Sequence, residues 1–121
     1  MSNARNHNDI RQVSVFYNGI LAGTLTKKTR AANSATSQFV FTYNEIYLES
    51  RHPSISFDLL KRKESYKSSE LFPYFEGLLP EGENREMHCR ALKIDPNDSF
   101  SLLIKLANKD TIGAITVMED A

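Results

Sequence analysis

Cysteine, glycine and long apolar runs are scarce in this sequence, and each shortage excludes a class of protein. The single cysteine, Cys89, excludes a disulfide within the chain and is typical of proteins from a reducing compartment. The five glycines form neither of the two common Gly-rich phosphate-binding loops. Because no apolar run approaches the ~20 residues of a membrane-spanning helix, we expect no membrane partner.

An excess of charge of one sign is missing as well. Fifteen basic residues balance fifteen acidic ones, which gives a net charge of zero. Proteins that bind the phosphate backbone usually carry a clear basic excess, because neutralised phosphates supply much of the affinity. The balance therefore argues against direct binding of nucleic acid by this chain alone.

The length indicates one domain. A chain of 121 residues can bury about two-thirds of its unfolded surface in a single core. Its first residues, "MSNARNHNDIRQ", are polar and lack the apolar segment of a signal peptide. We interpret residues 1–10 as a flexible arm and residues 11–119 as a single domain of a cytoplasmic protein.

Alternating apolar and polar residues predict a hairpin near the N-terminus. The stretch "VSVFYNGILAGTLT" alternates on both sides of Asn18-Gly19, a pair that favours a type I′ turn. Val13 and Val15 are expected on one face of the first strand. Gly23, inside the second strand, predicts a bulge or a close approach of two backbones.

Two further strands are predicted before the middle of the chain. "QFVFTY" places Phe39, Phe41 and Tyr43 on one face of a third strand. A short helical turn capped by Asn44 follows. "SISFDLL", Ser54 to Leu60, predicts the fourth strand, and "KRKESYKSS" after it predicts a charged loop.

Helical spacing dominates the second half. Leu71, Phe75 and Leu78 form the stripe of a first helix, which "PEG" ends at Pro80. A second helix is predicted after this break, and the apolar spacing of Phe100 to Ala107 predicts a third. The predicted inner face of the second helix consists of Met87, Ala91 and Ile94.

"GAITVM" then predicts a final strand that returns to the sheet. Strands in a run followed by helices in a run are typical of the α+β class. We therefore predict an α+β fold: a small antiparallel or mixed sheet, or a partly open barrel, of about five strands covered by about three helices.

No pattern predicts a catalytic, cofactor or metal site. His88 and Cys89 are neighbours, which is not the usual spacing of metal ligands, and no third group would orient a nucleophile. We interpret them as an exposed imidazole beside a buried thiol. The glutamates around Pro80 are more simply explained as helix-end charges than as acid–base groups. The expected protein is therefore not an enzyme and needs no cofactor.

Several ordered motifs resemble the N-terminal subdomain of HipA-type serine/threonine kinases. These are "VFYNGILAGTLT", "FVFTYNEIYLES", "PSISFDLL", "YFEGLLPEGENR", "SFSLL" and "KDTIGAITV". The resemblance runs from about Arg11 to Met118, which is nearly the whole chain. In HipA-like kinases the strand after "GA" leads into a long kinase core, whereas this sequence stops at "VMEDA".

The chain therefore resembles the free-standing form of this subdomain, similar to HipS of tripartite HipBST toxin–antitoxin systems. The resemblance implies an antitoxin that binds and neutralises a HipT/HipA-like kinase. It also implies a HipB-like DNA-binding protein as a further component of a ternary complex.

Two groups of residues are expected to contact the kinase. In the loop "LLKRKESYKSS", Tyr66 is a hypothetical aromatic anchor, and its flanking cations would complement acidic groups near a nucleotide site. Those cations are Lys61, Arg62, Lys63 and Lys67. The second group is the far side of the helix–break–helix joint, with Glu81, Glu83, Asn84 and Arg85.

Two alternatives stay open at this point. The sequence is also consistent with a docking subdomain cut from a full-length HipA-like kinase, which would act in cis. Alternatively, the protein is a scaffold or co-regulator that forms a complex with the HipB-like DNA-binding protein.

Overall fold

A computed structural model describes residues 8–30, 37–108 and 110–119, and these residues form five strands and four helices. The strands are β1 (Asn8–Tyr17), β2 (Ile20–Arg30), β3 (Ser37–Tyr43), β4 (Tyr66–Ser68) and β5 (Ile115–Glu119). The helices are α1 (Glu45–Glu49), α2 (Pro73–Glu76), α3 (Gly82–Leu92) and α4 (Ser99–Ala107). All neighbouring strands are antiparallel, in the order β4-β3-β2-β1-β5. The predicted α+β class is confirmed, and the sheet is open.

The predicted β1–β2 hairpin is confirmed in detail. Asn18 and Gly19 have φ angles of 52° and 80°, so both central residues are in the positive-φ region that a type I′ turn requires. The pairing shifts register between Val15 and Phe16, which forms a bulge beside Gly23. A Cβ atom on Gly23 would lie 2.4 Å from the carbonyl oxygen of Thr42, so the backbones of β2 and β3 approach closely there.

The core lies between one face of the sheet and the helices. The predicted faces of β1 and β3 are confirmed, since Val13, Val15 and Phe41 are completely buried. The rings of Phe41 and Phe75 lie 5.9 Å apart, which packs α2 against β3. From α4, Phe100, Leu102, Leu103, Ile104 and Ala107 are buried.

The prediction of a fourth strand at Ser54–Leu60 is wrong. Strand periodicity would place Ile55, Phe57 and Leu59 on one face. Instead the N–H of Leu59 donates to the carbonyl of Ser56 at 3.1 Å, so the chain reverses direction at Phe57. Ile55 and Leu59 are buried while Phe57 is exposed. The strand at this edge of the sheet is β4, inside the stretch that was predicted to be a charged loop.

Helix α1 matches its prediction, because the side chain of Asn44 accepts a hydrogen bond from the N–H of Ile46 at 2.9 Å. The predicted inner face of α3 is wrong for Met87 and Ala91, which are exposed, and Cys89 is the buried residue of this helix. Lys93 ends the helix in the left-handed region at φ 60°, which turns Ile94 back toward the core.

The predicted N-terminal arm overlaps the first strand. Residues 1–7 lie outside the described residues, whereas β1 already begins at Asn8. Among the described helices, none is both long and apolar enough to cross a membrane.

Candidate functional site

The turn between α1 and β4 is held by buried tyrosine hydroxyls. The hydroxyl of Tyr43 donates to the carbonyl of Leu59 and accepts from the N–H of Ile55 at 3.0 Å. The hydroxyl of Tyr47 donates to the carbonyl of Pro53 at 2.9 Å. Burial raises the pKa of both tyrosines, so both hydroxyls stay protonated at neutral pH. The sheet and α1 thus fix the backbone of this turn.

Lys61 closes the same turn from the other end. Its Nζ donates to the carbonyls of Ser50 and His52, at 2.9 and 2.7 Å. It also lies 5.4 Å from the centre of the Tyr47 ring, a cation–π distance. Lys61, which was one of the predicted kinase contacts, therefore donates its hydrogen bonds to carbonyls of its own turn.

Phe57 projects from the tip of this fixed turn. Its side chain is 95% exposed, and that of Leu60 is 56% exposed. Together they border an open groove of about 560 Å³ between the turn and α2. We call it the Phe57 groove; its apolar walls are Tyr17, Pro53, Ile55, Phe57, Leu60 and Tyr74.

Sequence reasoning missed the Phe57 groove because it assigned Phe57 to a strand. A turn signal was nevertheless present. Ser56 and Asp58 flank Phe57, and the Oγ of Ser56 accepts the N–H of Asp58 at 3.1 Å, as serine commonly does in turns.

Tyr66 lies in β4 and not in a loop. It pairs with Phe41 and is half-buried against the core. Its hydroxyl donates to the carbonyl of Leu60 at 2.7 Å, and the guanidinium of Arg62 covers its ring at 3.6 Å. Tyr66 and Arg62 thus form one stacked surface, next to the Leu60 wall of the groove.

Lys63 and Lys67 are exposed, as Arg62 is. Lys67 pairs with Val40, which puts it on the opposite face of the sheet from Tyr66. The structure therefore brings Tyr66, Arg62 and Leu60 together and separates Lys67 from them.

The second predicted group surrounds the start of α3. Glu81, Glu83 and Asn84 are exposed there. Arg85 differs, since its side chain is only 16% exposed. It donates to Glu76 at 3.1 Å, to the carbonyl of Pro96 at 2.8 Å and to Ser99 at 2.8 Å. Arg85 thereby ties α3 to α2 and to the start of α4.

The described residues contain no group of three or more His, Cys, Asp or Glu side chains placed to hold a metal ion. Tyr74 lines the groove, and burial raises the pKa of its hydroxyl. An open groove with apolar walls is suited to binding a protein surface.

Comparison with known proteins places these features in a family. The family model of the HipA N-terminal domain matches residues 13–118. A protein of Sinorhizobium fredii named "Putative kinase Y4mE" is 30% identical over 112 residues, which are 92% of this chain and 25% of that protein. The chain thus spans about a quarter of the length of Y4mE. An "Uncharacterized protein" of Haemophilus influenzae is 30% identical over 111 residues, which cover 92% of this chain and 94% of that protein.

The fold agrees with the sequence match. A solved "N-terminal domain of HipA toxin" superposes with a TM-score of 0.64 at 26% identity, covering 92% of this chain and 93% of the other. Because the family model spans most of the chain and the fold matches, this protein belongs to the HipA N-terminal domain family.

Proposed function

We propose that this protein is a non-catalytic antitoxin that binds a HipT/HipA-like serine/threonine kinase and holds it inactive. The observation that carries the proposal is that the same domain is similar both to part of a longer protein and to nearly all of a short one. This chain matches a quarter of Y4mE and nearly the full length of the Haemophilus protein. A surface that packs against a kinase core within one chain can bind the same core from a separate chain.

Two physical routes lead to inhibition without chemistry. The protein can cover the active site, or it can bind one arrangement of the kinase lobes better than the active one and so shift the equilibrium. The stacked Tyr66–Arg62 surface and Lys63 suit the first route, because cations complement acidic groups near a nucleotide site. At the start of α3, Glu81, Glu83 and Asn84 would add polar contacts. Arg85 would hold the joint between α2 and α3 in place, and Lys61 would hold the turn before β4.

The proposal assigns the protein to the cytoplasm, where the kinase would act. The single cysteine, which is buried in α3, is consistent with a reducing compartment. A HipB-like DNA-binding protein would join as a third component and supply the contact with DNA.

The direct test is phosphorylation by the HipT-like kinase with and without a stoichiometric amount of this protein. Suppression of phosphorylation together with co-elution from a sizing column is the expected result. Co-elution without suppression would make the protein a scaffold and overturn the antitoxin role. Absence of any complex would overturn kinase binding altogether.

Tyr66 can be tested in the same assay. Tyr66→Ala should weaken inhibition by at least ~2 kcal/mol of binding free energy, the usual scale for an interface anchor. Tyr66→Phe is the matched control, because it keeps the ring under Arg62 and removes only the hydroxyl that binds Leu60. Undiminished inhibition by Tyr66→Ala would remove Tyr66 from the interface.

A second candidate function is docking in cis, as a subdomain of a longer kinase chain. It is favoured by the match to a quarter of Y4mE. The reading frame downstream of Ala121 in the parent gene distinguishes the two, since a stop codon supports a separate protein. A salt-dependent shift of DNA by this protein alone would instead support a direct nucleic-acid contact.

A further inference from the structure

Resting on the proposed kinase partner, we propose that the Phe57 groove is the centre of the kinase interface. Its occupant is an apolar ridge of the kinase core, the part of a protein such as Y4mE that this chain does not cover, and the ridge carries acidic residues on one flank. The stacked Tyr66–Arg62 surface then forms the polar rim of the interface beside Leu60.

The first support is the rigidity of the exposed aromatic. Phe57 is 95% exposed, yet the backbone on both sides of it is fixed by the hydroxyl of Tyr43, which bonds Ile55 and Leu59. A side chain presented on a fixed turn loses little conformational entropy when it is buried by a partner. Interface anchors are typically such central aromatic groups, surrounded by contacts that exclude water.

The second support is the apolar character of the groove walls. Tyr17 from β1, Tyr74 from α2 and Leu60 from the turn converge on Phe57. Large apolar side chains that meet in one exposed concavity mark binding surfaces, whereas singly scattered ones do not.

The third support is the charge beside the groove. The guanidinium of Arg62 lies 3.6 Å from the centre of the Tyr66 ring, and the hydroxyl of Tyr66 donates to the carbonyl of Leu60, which lines the groove. Arg62 thus places a positive charge at the Leu60 edge of the groove.

A partner with acidic residues at this edge is attracted in the matching orientation, because complementary charge guides the encounter. The partner surface is therefore an apolar ridge with acidic residues that face Arg62.

The central contact is tested by titrating the kinase with variants of the full chain. Phe57→Ala and Leu60→Ala should each raise the Kd, and Phe57→Ala by about 30-fold or more, which is the hot-spot scale of ~2 kcal/mol. Ile46→Ala is the matched control, since Ile46 is 79% exposed on α1 and lies outside the groove. Its Kd should stay within about twofold of the wild-type value.

The basic edge of the groove is tested by charge reversal. Arg62→Glu should slow association and reduce the dependence of its rate on salt, because edge charges act mainly on the encounter. Lys67→Glu, on the opposite face of the sheet, is the matched control. Equal association rates for wild type and Arg62→Glu would overturn the predicted acidic flank of the partner.

The outcomes separate this inference from the proposed function. If the wild type binds the kinase and Phe57→Ala binds with the same Kd, the groove is not the centre and only this inference fails. If the wild type does not bind, both fail. Self-association of the wild type that Phe57→Ala abolishes, without kinase binding, would assign the groove to a second copy of this chain and overturn the kinase as its occupant.

Discussion

Single residues set the ends of helices here, and Asp98 does so for α4. Its two carboxylate oxygens accept the N–H of Ser101 at 3.1 Å and the hydroxyl of Ser101 at 2.7 Å. Lys27 of β2 lies 3.7 Å from the same carboxylate. Burial alone would raise the pKa of Asp98, but these hydrogen bonds and the charges of Lys27 and Arg11 lower it below its ordinary value.

The lowered pKa of Asp98 predicts acid sensitivity. The charged form stabilises the folded state fully above the unfolded pKa of about 3.9, and this contribution is lost as the pH falls through the lower folded pKa. Asp98→Asn keeps an oxygen that can accept the N–H of Ser101 but does not titrate. Between pH 7 and acid, its free energy of unfolding should therefore fall less than that of the wild type.

Urea unfolding at a series of pH values checks this expectation. Asp110→Asn, at an exposed position, serves as the control and should follow the wild-type curve. An equally steep loss of stability in Asp98→Asn and wild type would contradict the assignment. Asp98→Ala should cost about 1 kcal/mol already at neutral pH, because the cap itself is lost.

At the scale of elements, the Phe57 turn depends on a hydroxyl in β3. Tyr43→Phe would leave the N–H of Ile55 and the carbonyl of Leu59 without their partner. We expect a loss of about 1–3 kcal/mol in the free energy of unfolding, the cost of buried polar groups without partners. Because the turn also loosens, the Kd for the kinase should rise.

Thermal or urea unfolding measures the first effect, and the kinase titration measures the second. Tyr66→Phe is the control, since its hydroxyl bonds an exposed carbonyl and its loss should cost less. Stability and Kd both unchanged in Tyr43→Phe would show that the turn does not need this hydroxyl.

The joint between α2 and α3 depends on Arg85 in a comparable way. Arg85→Lys keeps the charge but cannot reach Glu76, Pro96 and Ser99 with a planar group of donors. We expect both Arg85→Lys and Arg85→Ala to lower the free energy of unfolding by about 1–3 kcal/mol. Glu83→Ala, an exposed neighbour, should change it little.

Denaturant unfolding of the three variants shows whether Arg85 stabilises the joint between α2 and α3 or contacts the partner. If Arg85→Ala is as stable as the wild type but binds the kinase more weakly, Arg85 belongs to the interface and not to the joint.

At the scale of the whole molecule, the last strand closes the core. Ile115 and Val117 are completely buried and lie opposite Tyr17 and Val15 of β1. Fully burying each aliphatic side chain contributes about 1.5–3 kcal/mol. Removing β5 also exposes the edge of β1 and the packed side of α4, so the total loss is comparable to the stability of a typical domain.

A chain shortened to end at Gly113 should therefore show no cooperative thermal transition by circular dichroism. The double variant Thr116→Ala, Met118→Ala keeps the strand and changes only side chains that alternate with the buried pair, so it should still unfold cooperatively. A sharp transition in the shortened chain, within a few degrees of the wild type, would contradict the role of β5 in closing the core.

Local patterns in the sequence were sufficient for much of the fold. The Asn18-Gly19 turn, the Asn44 cap and the buried face of β3 each follow from neighbouring residues, because turns, caps and strand faces are decided within a few positions. Ordered motifs along the chain were sufficient for the family as well, and the family match confirms them.

Only the tertiary structure decided the features that depend on contacts between distant segments of the chain. "SISFDLL" has the composition of a strand, but the hydroxyl of Tyr43 holds it as a turn and leaves Phe57 in solvent. The sequence around Tyr66 predicts a loop, but Tyr66 pairs with Phe41 at the edge of β3 and so lies in a strand. Arg85 looked like a surface charge, yet Glu76 and Ser99 bury it. The sequence alone thus determined the family and most of the elements, whereas contacts between residues far apart in the chain decided which side chains a partner can reach.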